Sequence, residues 1–124
     1  MTRGRIGSDV VAPMLIDRED FERVEIRVGT IVEAEEFPRA RKPLYRLTID
    51  FGPEVGTRRS AAGLPPRYEL DELPGRQVIA VLNLGPRNIA GFVSECLTLG
   101  VPDEEGEAIL LEPTREVPDG GRLF

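Results

Sequence analysis

Apolar and polar residues alternate with a period of two along much of the chain, and that period predicts strands. From Val24 to Glu35, one face takes Val24, Ile26, Val28, Thr30, Val32 and Ala34, and the other Glu25, Arg27, Gly29, Ile31, Glu33 and Glu35. This reads as a long, half-buried strand, with Gly29 marking a bend or bulge of the kind a closing barrel requires. A second strand carries Tyr45, Leu47, Ile49 and Phe51 in alternation with Leu44, Arg46, Thr48 and Asp50. After the turn residues Gly52 to Gly56, a short basic third strand is expected over Thr57 to Ala62. Gln77 to Leu84 is a near-continuous apolar run, as in a strand buried on both faces. Val93 to Gly100 reads as a fifth strand, and Ile109 to Glu112 as a short extra one.

Helical signals are brief. Asp17 to Glu22 predicts a short helix, with Asp17 as N-cap and Ile16 covering Phe21 as a hydrophobic staple. Leu64 to Leu73, entered by Pro65-Pro66 and stopped by Pro74-Gly75, predicts a short cap. Five strands with one small insert between the third and fourth predict a mainly β fold. The expected architecture is a five-stranded, partly open OB-fold barrel with short helices and small terminal extensions. An SH3-like barrel or a split sandwich are the alternatives. Residues 1–16 read as an N-terminal tail and 17–124 as one domain, a division that suits a chain of 124 residues.

Charge changes this picture by its distribution. The net charge is −6, which taken whole argues against a nucleic-acid binder. Yet Phe37 to Arg59 holds Arg39, Arg41, Lys42, Arg46, Arg58 and Arg59 against only Asp50 and Glu54. Between Val101 and Asp119, seven acids face Arg115 alone. The surface is polarised, with one basic zone. Histidine is absent, which removes imidazole-based nucleophile activation and histidine zinc sites. No acidic pair stands out, so no enzyme, cofactor or metal is expected. Cys96, the single cysteine, sits among Val93, Leu97 and Leu99 and reads as a small buried hydrophobe. No apolar run approaches the roughly 20 residues of a membrane span, and no signal peptide is seen at the start, so a cytoplasmic location without membrane insertion is expected.

Candidate binding chemistry gathers in two places. Arg39, Arg41, Lys42 and Arg46 surround the loop between the first two strands, and Arg58 lies on the third. OB barrels bind nucleic acid on that loop and face, and guanidinium forks bind phosphate bidentately. A solvated charged face is the alternative. The second place is Asn83-Leu84-Gly85-Pro86-Arg87-Asn88-Ile89-Ala90-Gly91-Phe92-Val93-Ser94-Glu95-Cys96-Leu97, whose polar groups a core does not need. Arg87 is read as reaching phosphate, with Asn83 and Ser94 beside it. Alternatively, Asn83 and Ser94 tie the loop internally and Arg87 pairs with Glu95. Gly85 and Gly91 are expected at unusual φ. Only Phe37, Tyr45 and Phe92 offer stacking rings, so contact with RNA shape and backbone is expected over base stacking. Ile16, Phe21, Leu110 and Leu123 lie in terminal segments and suit either a homodimer interface or packing on the same subunit.

From Asp20 onward the chain resembles the tRNA-binding domain family. Four segments carry the likeness: Phe21 to Gly29, Ala40 to Leu47, Gly75 to Val81, and the Asn83 to Leu97 motif. The similarity is greatest to CsaA-type bacterial secretion chaperones, a branch of that family. Ser60-Ala61-Ala62-Gly63-Leu64 departs from that branch's S-S-A-Q-I, and its glycine is nearer the S-G-L of the wider group. The resemblance implies an OB fold, a homodimer and tRNA binding without catalysis. For the chaperone branch it also implies binding of unfolded polypeptides or preproteins.

Overall fold

The computed structural model describes residues 14–124; of the expected tail, residues 1–13 lie outside the described part. A short helix α1 (Arg18–Glu22) is followed by nine strands: β1 (Ile26–Glu36), β2 (Tyr45–Asp50), β3 (Thr57–Ala62), β4 (Gln77–Val81), β5 (Arg87–Ile89), β6 (Phe92–Ser94), β7 (Leu97–Thr98), β8 (Gly100–Pro102) and β9 (Ala108–Leu110). The main sheet is antiparallel in the order β3-β2-β1-β4-β7 and curls into a nearly closed five-stranded barrel. One turn of 3-10 helix at Leu70–Glu72 lies between β3 and β4, and Leu64 and Leu73 on either side of it are buried in the core. The expected mainly β barrel, with its capping insert, is thus present.

β2 buries Tyr45, Leu47 and Ile49 by simple alternation, and Phe51 just beyond it is also buried. β1 departs from its expected phase. Ile31 is fully buried, whereas Val32 is half exposed. The register slips between Ile31 and Glu33, which face Ile49 and Thr48, so Val32 is the extra residue of a bulge. The bulge lies three residues beyond Gly29, where the sequence points to a bend or bulge. Gly29 itself faces inward, where a Cβ would sit 2.7 Å from both Ile49 Cγ2 and Phe51 Cδ1.

Val28 is buried on the opposite face, beneath the C-terminal segment. Its N–H donates to Gly121 O at 2.9 Å, and its carbonyl accepts from Gly120 N–H at 2.8 Å. Leu123 N–H donates to Ile26 O at 2.9 Å. Residues 120–123 thereby pair with the free edge of β1's first half.

The expected fifth strand breaks at Glu95 and Cys96, into β6 on one side and β7 on the other. β5 and β6 form a separate hairpin, and β8 and β9 another. Leu110, considered for a dimer interface, is buried in the core of its own chain. Ile16 and Phe21 stay exposed, so the expected staple shields neither. Gly85 is not among the residues with positive φ, which corrects the expectation of unusual backbone there.

Candidate nucleic-acid interface

The Asn83 to Leu97 motif resolves into a hairpin held by polar clasps at its two ends. At the entry, Asn83 Oδ1 accepts from Glu25 N–H at 2.9 Å, and Nδ2 donates to Arg23 O at 2.6 Å. This amide continues the β1–β4 pairing after the backbone ladder has stopped. At the exit, Ala61 N–H donates to Ser94 Oγ at 3.0 Å. Arg59 N–H donates to Glu95 Oε1 at 2.8 Å, and Glu95 N–H returns to Arg59 O at 2.7 Å. Ser94 and Glu95 thus stand in for a strand along the outer edge of β3. Behind them Ser60 Oγ, fully buried, bonds Thr98 Oγ1 at 2.8 Å and Cys96 O at 3.2 Å, which closes the barrel seam. The polar groups of Asn83 and Ser94 are committed to backbone.

Between the clasps, the hairpin turns at Ala90-Gly91, with φ of 50° and 88°. Two successive positive φ values give the turn the twist that two-residue hairpins favour. Gly91 takes this conformation freely, whereas Ala90 does not. Asn88 Oδ1 accepts from Gly91 N–H at 2.9 Å and braces the turn.

The hairpin faces the loop between β1 and β2. Arg39, Arg41, Lys42 and Arg87 line the groove between them, about 530 Å³ in volume, with Leu44, Ala61, Ile89 and Ala90 as its apolar lining. Four of the residues singled out in the sequence therefore meet. An adjoining depression of about 370 Å³ shares Arg39 and Ala90 and adds Arg46, Arg59, Phe37 and Phe92.

Pairing separates these cations from most others. Among the described residues, Arg18, Arg23, Arg27, Arg67, Arg76 and Arg122 each have a carboxylate within 4.0 Å. None comes that close to Arg39, Arg41, Lys42, Arg59 or Arg87. Glu95 in particular is spent on the Arg59 backbone and does not pair with Arg87.

Arg46 is intermediate. Its Nε donates to Glu36 O at 3.1 Å, with Glu35 Oε1 at 3.8 Å. Arg58 stands apart from both depressions, its Nη1 donating to Val55 O at 2.7 Å and Thr57 O at 3.2 Å.

Arg59 belongs to the basic zone of the sequence, yet no motif marks it. Ser60 and Ala62 turn inward on β3, so Arg59 and Ala61 hold the outer positions. Strand parity was the signal that distinguishes Arg59 from Arg58. The three candidate stacking rings are all buried. Tyr45 donates its hydroxyl to Tyr68 O at 2.9 Å, and Phe37 and Phe92 meet edge to face with centroids 5.5 Å apart. Burial also pushes the Cys96 thiol up to about 11, as its place in the seam requires.

An antiparallel five-stranded barrel with a capping insert and a cationic groove beside its third strand defines an OB-type binding domain. The chain belongs to the tRNA-binding domain family, for residues 26–122 match the family described as "Putative tRNA binding domain". The resemblance noted in the sequence is borne out by solved structures.

The chain is 43% identical to chaperone CsaA from Bacillus anthracis str. Ames, covering 90% of this chain and 100% of that one with a TM-score of 0.84. It is 40% identical to the CsaA chaperone protein from Picrophilus torridus, over 89% and 100% of the two chains, with a TM-score of 0.82. It is also 38% identical over 108 residues to methionine–tRNA ligase from Bacteroides fragilis, covering 87% of this chain. That match takes in only 16% of the ligase's length. No helix among the described residues is long and apolar enough to cross a membrane.

Proposed function

We propose that the protein binds tRNA without catalysis, through the groove between the β1–β2 loop and the β5–β6 hairpin. One observation carries the reading. In a chain of net charge −6, Arg39, Arg41, Lys42 and Arg87 line a single groove, and among the described residues no carboxylate lies close enough to neutralise them. Cations left unpaired in this way suit phosphates, whose neutralisation releases counterions. Membership of the tRNA-binding domain family supports the choice of polynucleotide. Arg46 would serve the adjoining depression, and Arg58 the outer margin. Asn83 and Ser94 would act by holding the hairpin in place. With tRNA as the ligand, the working compartment would be the cytoplasm. A filter-binding titration with tRNA at two salt concentrations tests the reading: log K must fall steeply with log salt. A flat response would show that phosphate is not the main ligand.

The same reading includes a homodimer. Phe21, Val24, Leu123 and Phe124 share a surface hollow of about 270 Å³ formed by the terminal segments, and Phe124 is fully exposed. A second copy would cover it. Sedimentation of the native chain beside a Phe21→Ser, Leu123→Ser variant decides the point.

A second reading, a chaperone for unfolded polypeptide, is favoured by the similarity to two CsaA chaperone structures along their full length. The Leu44, Ala61, Ile89 and Ala90 lining gives such a client apolar surface. Suppression of client aggregation that survives high salt would support it.

A further inference from the structure

The depression beside the cationic groove has a layered construction that the groove itself lacks. At its base Phe37 and Phe92 are buried and in edge-to-face contact. Each ring carries an arginine. The Arg59 guanidinium carbon stands 4.3 Å from the Phe92 ring centroid, and that of Arg46 stands 5.4 Å from the Phe37 centroid. The rings are almost wholly covered and offer a ligand little surface. The guanidinium groups lie over them and line the depression.

A ring beneath an arginine limits where its guanidinium can lie. Phosphate is taken by the edge of the guanidinium fork, whereas stacking uses its face. A plane held from below presents its other face for stacking, and unpaired nucleobases stack on arginine planes as they do on aromatic rings. The neighbouring Glu95 carboxylate accepts from the Arg59 backbone N–H and does not pair with the Arg59 fork. Glu35 and Glu36 lie near Arg46, so Arg59 is the freer of the two planes. The volume, about 370 Å³, falls in the lower part of the range of roughly 300–1,000 Å³ typical of small-ligand sites. Arg39 borders both depressions, so a backbone lying in the groove passes the mouth of this one.

We propose that this depression is a nucleobase subsite, in which an unpaired base of the bound RNA stacks on the Arg59 plane with Arg46 at its margin. Arg59, supported by Phe92, is then a specificity-determining residue that favours RNA with an unstacked nucleotide over continuous duplex. The inference rests on this face being the RNA-binding one, and its test separates the two.

The probes are tRNA, a nine-nucleotide single-stranded RNA and the same oligomer carrying abasic nucleotides, which keeps every phosphate and removes the bases. The proteins are the native chain, Arg59→Lys and Arg46→Lys. The native chain is expected to bind the intact oligomer about tenfold more tightly than the abasic one, the scale of one stacked base. Arg59→Lys should lose that preference while keeping its charge and therefore its salt slope. Arg46→Lys should lose only part of it. Equal native binding of both oligomers, with a steep salt slope, overturns the subsite and leaves RNA binding standing. Failure of the native chain to bind tRNA and oligomer alike overturns both. Loss of affinity in Arg59→Lys with no native preference for bases makes Arg59 a phosphate contact and also overturns the subsite.

Discussion

Arg59 and Glu95 bond each other in both directions: Glu95 accepts the Arg59 N–H on its side chain at 2.8 Å and donates its own N–H to the Arg59 carbonyl at 2.7 Å. A single residue therefore supplies two rungs of a ladder that no strand is present to supply. With Ser94 on Ala61, this forms the barrel's join at β3. Replacing Ser94 by Ala strands the Ala61 N–H in partly buried surroundings and should cost about 1–3 kcal/mol. Urea unfolding measures the loss. Binding of tRNA to the folded fraction should weaken less than on loss of Arg87, since Ser94 holds the hairpin and does not line the groove.

Arg87 has no carboxylate partner among the described residues and lines the groove. Its replacement by Ala should weaken tRNA binding and lower the slope of log K against log salt by about one. Arg58, whose guanidinium is held by the Val55 and Thr57 carbonyls, should give a smaller loss. Parallel titrations of the two variants check the ranking.

Ala90 sits at φ 50° in a turn whose next residue is Gly91. The left-handed region costs an ordinary L-residue roughly 1–2 kcal/mol, and asparagine tolerates it better. Ala90→Asn should raise stability by about 0.5–1 kcal/mol, read as an upward shift of a few degrees in Tm.

Gly29 has no room for a side chain, because Ile49 and Phe51 fill the space. Gly29→Ala should destabilise by about 1–3 kcal/mol through overpacking. Chemical denaturation checks this, with Gly75→Ala as a contrast, since no atom lies within 4 Å of a Cβ there and only backbone strain at φ 92° remains.

Asp103 accepts from Arg67 Nε at 2.6 Å and from the Glu105 and Glu107 N–H groups at 2.8 and 3.0 Å. The Arg67 bond, with the backbone donors, holds its carboxyl down to about 2. A depressed carboxylate stabilises the fold above its unfolded value, about 3.9, and that contribution fades as pH falls toward 2. Native protein should therefore lose stability between pH 4 and pH 2 more steeply than Asp103→Asn, as followed by unfolding at fixed urea.

How far the sequence reveals all this depends on which groups complete each strand. β2 was legible because one face is buried, the other is not, and nothing interrupts the period. The phase of β1 is obscured because Val28 and Gly29, on opposite faces, are both buried, Gly29 against Ile49 and Phe51 and Val28 near Gly121, and because Val32 adds a residue. A period of two cannot register either fact. The fifth strand was drawn too long because Ser94 and Glu95 pair through their side chains, which no hydropathy pattern encodes. Arg39, Arg41 and Lys42 are legible from the loop they crowd, and Arg87 from the Asn83 to Leu97 motif. Arg59 was not singled out, since its neighbour Arg58 has the same chemistry and only parity on β3 tells them apart.

The pairing of residues 120–123 with β1 also bears on how the protein is made. Val28 and Gly121 are far apart in the chain yet share a hydrogen bond, so the edge of β1 stays open until synthesis has passed Leu123. A nascent chain on the ribosome would carry that strand uncovered, ready to accept a foreign strand in its place. Translation that stops short of Gly120 would leave a barrel with a permanent sticky edge, and its product should precipitate or be degraded in the cell.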